Sequence, residues 1–112
     1  MTLTTTLDKI KRLEQYVTVQ EIGSPVLALA LDKLLKREIS YLQGMKRELK
    51  SDLLSFEIKY GVDSQSFYRQ YEAGKLGDQM DFVEWSASVE MADNLDHQIH
   101  LLQNDNRLRS SH

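Results

Sequence analysis

At 112 residues and 13.0 kDa the chain has room for one domain, 1–112, and no more. It contains no cysteine, which excludes disulfides, thiolate nucleophiles and cysteine-ligated metal. Its net charge is -3, from 14 Lys+Arg and 17 Asp+Glu, so it lacks the basic excess of a nucleic-acid binder and no direct nucleic-acid partner is expected. One proline and five glycines are very little punctuation, and they predict few, long elements.

The first predicted helix covers about 6–19. Leu3, Leu7, Ile10, Leu13 and Val17 recur at threes and fours, one stripe on a 3.6-residue period. The β-branched Val17, Thr18 and Val19 leave a short extended piece as the alternative for its end. Gly23-Ser24-Pro25 is a boundary: Gly23 suits a left-handed helix stop, Ser24 an N-cap, and Pro25 a first turn that needs no amide hydrogen.

The second helix is predicted over 25–60. Leu27, Leu31, Leu35, Ile39, Leu42, Met45, Leu49, Leu53, Phe56 and Tyr60 form a continuous seam close to a coiled-coil repeat. A helix of that span is roughly 54 Å long. Gly44 lies in its middle, as a bend or a place of close approach. Gly61 ends the helix. Asp63 or Ser64 can cap a short third one over 64–73, in which Phe67 and Tyr71 share a face, and Gly74 stops it.

The last helix is predicted over 79–103, capped by Asp78, with Asp81 in its first turn, where the helix dipole favours negative charge. Its stripe is read as Met80, Val83, Ala87, Met91, Leu95, Ile99 and Leu102, and residues 104–112 are expected to fray. "YEAGKLGD" is thus a helix stop, a short link and a helix start. The aromatics around it, Phe67, Tyr71, Phe82 and Trp85, are expected to cap the core at the tip. Exposed, they would anchor a partner.

The expected fold is all-α: a long antiparallel, coiled-coil-like helical hairpin with a short helix at its tip and an N-terminal helix. Charge supports the pairing. Residues 1–60 carry 10 basic against 8 acidic side chains, and residues 61–112 carry 4 against 9. Lys46, Arg47, Lys50 and Lys59 should therefore lie near Asp78, Asp81, Glu84, Glu90 and Asp93. One stretch does not fit a simple hairpin. "PVLALALDKLL" is apolar all round, and such a helix must be enclosed. Val26, Leu27, Leu29, Ala30, Leu31, Leu34 and Leu35 are its candidate interface, covered by a second copy, by another protein or by both; the alternative is that the N-terminal part of the chain bends back and buries the segment alone. Whether the N-terminal helix packs on its own chain or on another is open.

Chemistry is sparse. Asp93/His97 and Asp96/His100 can pair on the last helix, but a metal site needs three or four converging ligands. No G-x-S-x-G occurs, and Gly74 and Gly77 are too isolated to cradle a phosphate. The acids Asp78, Asp81, Glu84 and Glu90 sit where helix capping already accounts for two of them. No catalytic residue, metal or cofactor is expected, and the chain is read as a non-enzyme. No run of about 20 apolar residues suggests a membrane span. "MTLTTTLDKIKRLEQ" lacks the cationic start and apolar stretch of a signal peptide, and with the missing cysteines this fits a cytoplasmic protein.

The strings "SPVLALALDKLLKREI" and "FEIKYGVDSQSFYRQYEAGKLGDQMDFVEW" resemble a group of small helical proteins of cyanobacterial and archaeal genomes. The pattern is F-E-x-K-Y-G, a capped F-Y helix, an E-A-G-x-L-G-D link and D-F-x-E-W, within about residues 24–90. Members of that group look like the antitoxin-like partner in toxin–antitoxin pairs. The resemblance implies a small toxin-like protein as partner and assigns no residue roles. The expected function is a protein-interaction module, with a self-assembling structural homo-oligomer as the alternative.

Overall fold

The computed structural model describes residues 3–20 and 24–110, with side chains for residues 4–20 and 24–103. Among the described residues the chain forms four helices and no strand: α1 (Leu3–Val19), α2 (Pro25–Tyr60), α3 (Ser64–Glu72) and α4 (Met80–Ser110). By its internal contacts it divides into two compact units, Met1–Leu34 and Leu35–His112.

In the first unit, α1 stays helical through its β-branched end, and Thr18 Oγ1 donates to the Glu14 carbonyl at 2.7 Å. The Leu7, Ile10, Leu13 and Val17 stripe is exposed along its length. Ser24 is the expected cap: its Oγ accepts from the Leu27 N–H at 3.2 Å, and Pro25 opens α2. Gly23, the expected helix stop, lies outside the described residues.

In the second unit, α2 from Leu35 onward and α4 run antiparallel. Leu42 clusters with Leu95 and Ile99, Lys46 pairs with Asp96, Phe56 stacks on Trp85 at 5.4 Å, and Tyr60 meets Phe82 edge-on at 5.3 Å. The facing positions descend along one helix as they rise along the other, so this is the predicted hairpin. In this unit the buried and half-buried apolar side chains of α2 are Ile39, Leu42, Met45, Leu49, Leu53 and Phe56, the middle of the predicted seam; Leu31 and Leu35 before it and Tyr60 at its end are exposed.

The predicted stripe of α4 needs correction in its first half. Met80, Val83, Ala87 and Met91 are exposed, whereas Trp85 and Val89 are fully buried and Phe82 and Ala92 half-buried. The true seam is Asp81, Trp85, Ser88, Ala92, Leu95, Ile99 and Leu102, alternating fours and threes. Beside it run Phe82 and Val89, which pack in the same cluster as Phe67 of α3. Apolar side chains occur on every side of this half-helix, so periodicity alone does not choose among them. The choice falls to the large aromatics, because α2 and α3 flank α4 here and burying Trp85 removes the most surface from water.

The boundaries differ in smaller ways. α4 starts at Met80, and the Val83 N–H donates to the Gln79 carbonyl, so Gln79 and not Asp78 precedes the first turn. The predicted frayed tail is helical as far as Ser110, since no proline or glycine interrupts 104–110. Gly61, Gly74 and Gly77 all take positive φ, consistent with their places in the two connections.

Candidate functional site

Two places carried functional expectations: the apolar start of α2 and the aromatic tip of the hairpin. They have opposite fates. Val26 is 78%, Leu29 57% and Leu34 56% exposed, and Ala30, Leu31 and Leu35 are exposed as well. Leu27 alone is half-buried. The helix forms here on the strength of good helix formers, Leu and Ala, and of the Ser24 cap. An element that is apolar on all sides is thereby held in helical form with most of its apolar surface in water.

The tip is a core. Trp85 is 0% and Phe67 2% exposed, and their rings stack 3.8 Å apart at 4°. Tyr71 and Phe82 are half-buried and pack on Phe67 at 5.6 and 5.5 Å. Phe67 and Trp85 therefore have no surface to offer a partner. Phe56 and Tyr60 stack on Trp85, and Tyr71 and Phe82 pack on Phe67, which consumes the faces an interface would use. The indole N–H donates to Ser64 Oγ at 2.9 Å, which satisfies the one polar group this ring brings into the core.

α3 is fixed onto this tip by carboxylates. Asp63 is its N-cap, accepting from the Ser66 N–H at 2.8 Å and from the Ser66 hydroxyl at 3.0 Å. These bonds, the backbone one foremost, hold the Asp63 carboxyl below the usual range. Glu57 of α2 reaches across to accept from the Ser64 N–H at 2.9 Å. Two orphan donors of the first turn of α3, the Ser64 and Ser66 N–H groups, are thus met, one from α2 and one from the cap.

Asp81 has a role that dipole reasoning alone does not foresee. Its Oδ2 accepts from Lys59 Nζ at 2.7 Å and from the Tyr60 hydroxyl at 2.6 Å. The Lys59 bond first and the Tyr60 bond second lower the Asp81 carboxyl. The same Asp81 contact raises both Lys59 and Tyr60. On the other flank the Tyr68 hydroxyl donates to Glu90 Oε2 at 2.8 Å, and that bond leads the rise of the Tyr68 phenol to about 12. Of the predicted cross-hairpin ion pairs, Lys59–Asp81 forms, and Lys46 finds Asp96 in place of the acids expected for it. Glu57 and Tyr68 were in the sequence only as polar residues near the tip, and Ser64 only as a possible cap, a place the structure gives to Asp63. Their partners lie 7 to 22 positions away and depend on the hairpin closing.

Reactive chemistry has little to build on. His97 and His100 are exposed on α4, and among the described residues no group of three or more His, Asp or Glu is placed to hold a metal ion. An open surface hollow beside them, lined by Gln43, Lys46, Asp96, Ile99, His100 and Gln103, joins one ion pair to one apolar side chain and carries no nucleophile with a base. Among the described residues no helix is long and apolar enough to cross a membrane. Compared with known proteins, the chain matches no family model, no curated protein and no solved structure.

Proposed function

We propose that the chain is a non-enzymatic protein-interaction module. In this reading the aromatic-locked hairpin is the scaffold and the apolar start of α2 is the docking element. The observation that carries it is the exposure of Val26, Leu29, Leu31, Leu34 and Leu35 in one capped helix. Contiguous apolar surface of that kind marks interaction sites, and an apolar helix laid into a groove is a recurrent recognition mode. The resemblance noted above names a class of client, a small toxin-like protein met in the cytoplasm and neutralised by occlusion.

The test is a paired pull-down with the wild type and the Leu27→Asp/Leu31→Asp variant, from native cytoplasm and from co-expression with the neighbouring gene's product. The wild type is expected to retain a stoichiometric protein that the variant loses, with circular dichroism of the two chains alike. Equal recovery by both would refute the docking role of this segment.

The alternative reading, a self-assembling helical bundle, is favoured by the same exposed leucines together with those of α1. It predicts association of the pure protein with no client present.

A further inference from the structure

We infer that the surface left open on residues 7–19 and 26–35 is filled by a second copy of this chain, in an antiparallel helical bundle centred on Leu31. This names the occupant of the docking element as the chain itself, in place of the toxin-like client, and rests on the reading of residues 26–35 as an interaction surface.

Area is the first argument. Ten large apolar side chains from Leu7 to Leu34 remain 39–78% exposed. At roughly 100 Å² each they offer on the order of 1,000 Å² per chain, against the ~800 Å² per partner of a stable interface. Charge is the second. Residues 1–34 hold four basic side chains (Lys9, Lys11, Arg12, Lys33) and four acidic ones (Asp8, Glu14, Glu21, Asp32), so this unit is neutral while the whole chain is -3. Two neutral surfaces meet without the repulsion that copies of a charged one suffer, and neither selects a strongly charged partner.

The third argument is symmetry. On a 3.6-residue helix Leu27, Ala28, Leu31, Leu34 and Leu35 share one face about 120° wide. Their spacing reads the same in both directions from Leu31. Turning a second helix antiparallel about Leu31 sets Leu27 opposite the partner's Leu35 and Ala28 opposite the partner's Leu34, large beside small. Ser24 then lies opposite the partner's Glu38, which places a carboxylate near the N-terminal end of a helix, where it is favoured. A two-fold interface has to be self-complementary in this way. Val26 and Leu29 lie on the far side of the same helix, and together with the α1 stripe they supply the further faces of a bundle.

The full chain is examined by sedimentation equilibrium up to its solubility limit, as wild type and as the Leu27→Asp/Leu31→Asp variant. The single tryptophan, buried at the tip of the second unit, reports by its fluorescence that the hairpin is intact in both. The expected masses are about twice 13.0 kDa for the wild type and one chain for the variant. Because the chain has no cysteine, Leu31→Cys should cross-link to itself on mild oxidation, while the exposed Gln98→Cys should not. A dimer that persists in the aspartate variant, or Gln98→Cys linking as readily as Leu31→Cys, overturns the assignment of this face. A wild-type monomer that binds an apolar dye, with the binding lost in the variant, overturns self-pairing and leaves the face open to another protein. A monomer with no dye binding overturns both the inference and the interaction-module reading.

Discussion

Replacing Trp85 by alanine should remove a large share of the stability of the hairpin. The side chain is fully buried and stacks on Phe67, Phe56 and Tyr60 at 3.8, 5.4 and 5.7 Å. A buried tryptophan hides about 150–250 Å², which at ~25 cal/mol per Å² corresponds to about 4–6 kcal/mol. The denatured chain already hides part of that area, which brings the value into the range of about 3–5 kcal/mol typical of Trp→Ala. A unit of this size has only on the order of 4–12 kcal/mol in total. Ser64→Ala separates packing from hydrogen bonding. It leaves the indole stacked but strips its N–H of the acceptor at 2.9 Å, at a cost of about 1–3 kcal/mol. Urea unfolding followed by far-ultraviolet circular dichroism measures both variants without relying on tryptophan fluorescence. The order expected is Trp85→Ala well below Ser64→Ala, and both below wild type. A Trp85→Ala unfolding free energy within about 0.5 kcal/mol of wild type, the range of a surface substitution, would refute the claim that this stack holds the tip together.

Two glycine-to-alanine changes should have opposite signs. Gly44 is helical, and a Cβ there meets only Arg47 Nη2 at 3.7 Å, so Gly44→Ala should stabilise by about 1 kcal/mol. Gly61 has φ +68° and open space around it, so Gly61→Ala should destabilise by about 1–2 kcal/mol through backbone strain alone. Thermal melts of the pair decide both. Ultraviolet titration should find one tyrosine ionising near 12 that disappears in Tyr68→Phe. Because its folded value lies above the unfolded one, the Tyr68–Glu90 bond contributes fully below pH about 10 and is lost as pH rises through about 12. Glu90→Gln should bring that ionisation back down.

The hairpin was legible because its signals are local. Ser24-Pro25 opens α2, Asp63 caps α3, and Gly61 and Gly74 end helices, each within four residues of where it acts. The α2 seam from Ile39 to Phe56 was legible too, since one partner covers it and a single stripe results. The exposed leucines of residues 26–35 could be suspected for a related reason: a helix apolar all round has no polar face to turn to water.

The first half of α4 was not legible. With Met80, Phe82, Val83, Trp85, Val89 and Met91 spread around the helix, every face competes, and the winner depends on which neighbours arrive. Only the closed hairpin, with α2 on one flank and α3 on the other, settles that Trp85 and Val89 go in and Met80 and Met91 stay out. The same closure decided between the two places open to Phe67 and Trp85 in favour of the core, the one expected first, and joined Ser64 to Trp85 and Tyr68 to Glu90 across 21 and 22 positions. Helix existence, and the helix ends that a cap, proline or glycine marks, follow from short-range backbone bonding, so the sequence determines them unaided. The choice of buried ring and of long-range polar partner follows from where most apolar area can leave water at once, and only the tertiary structure decides that.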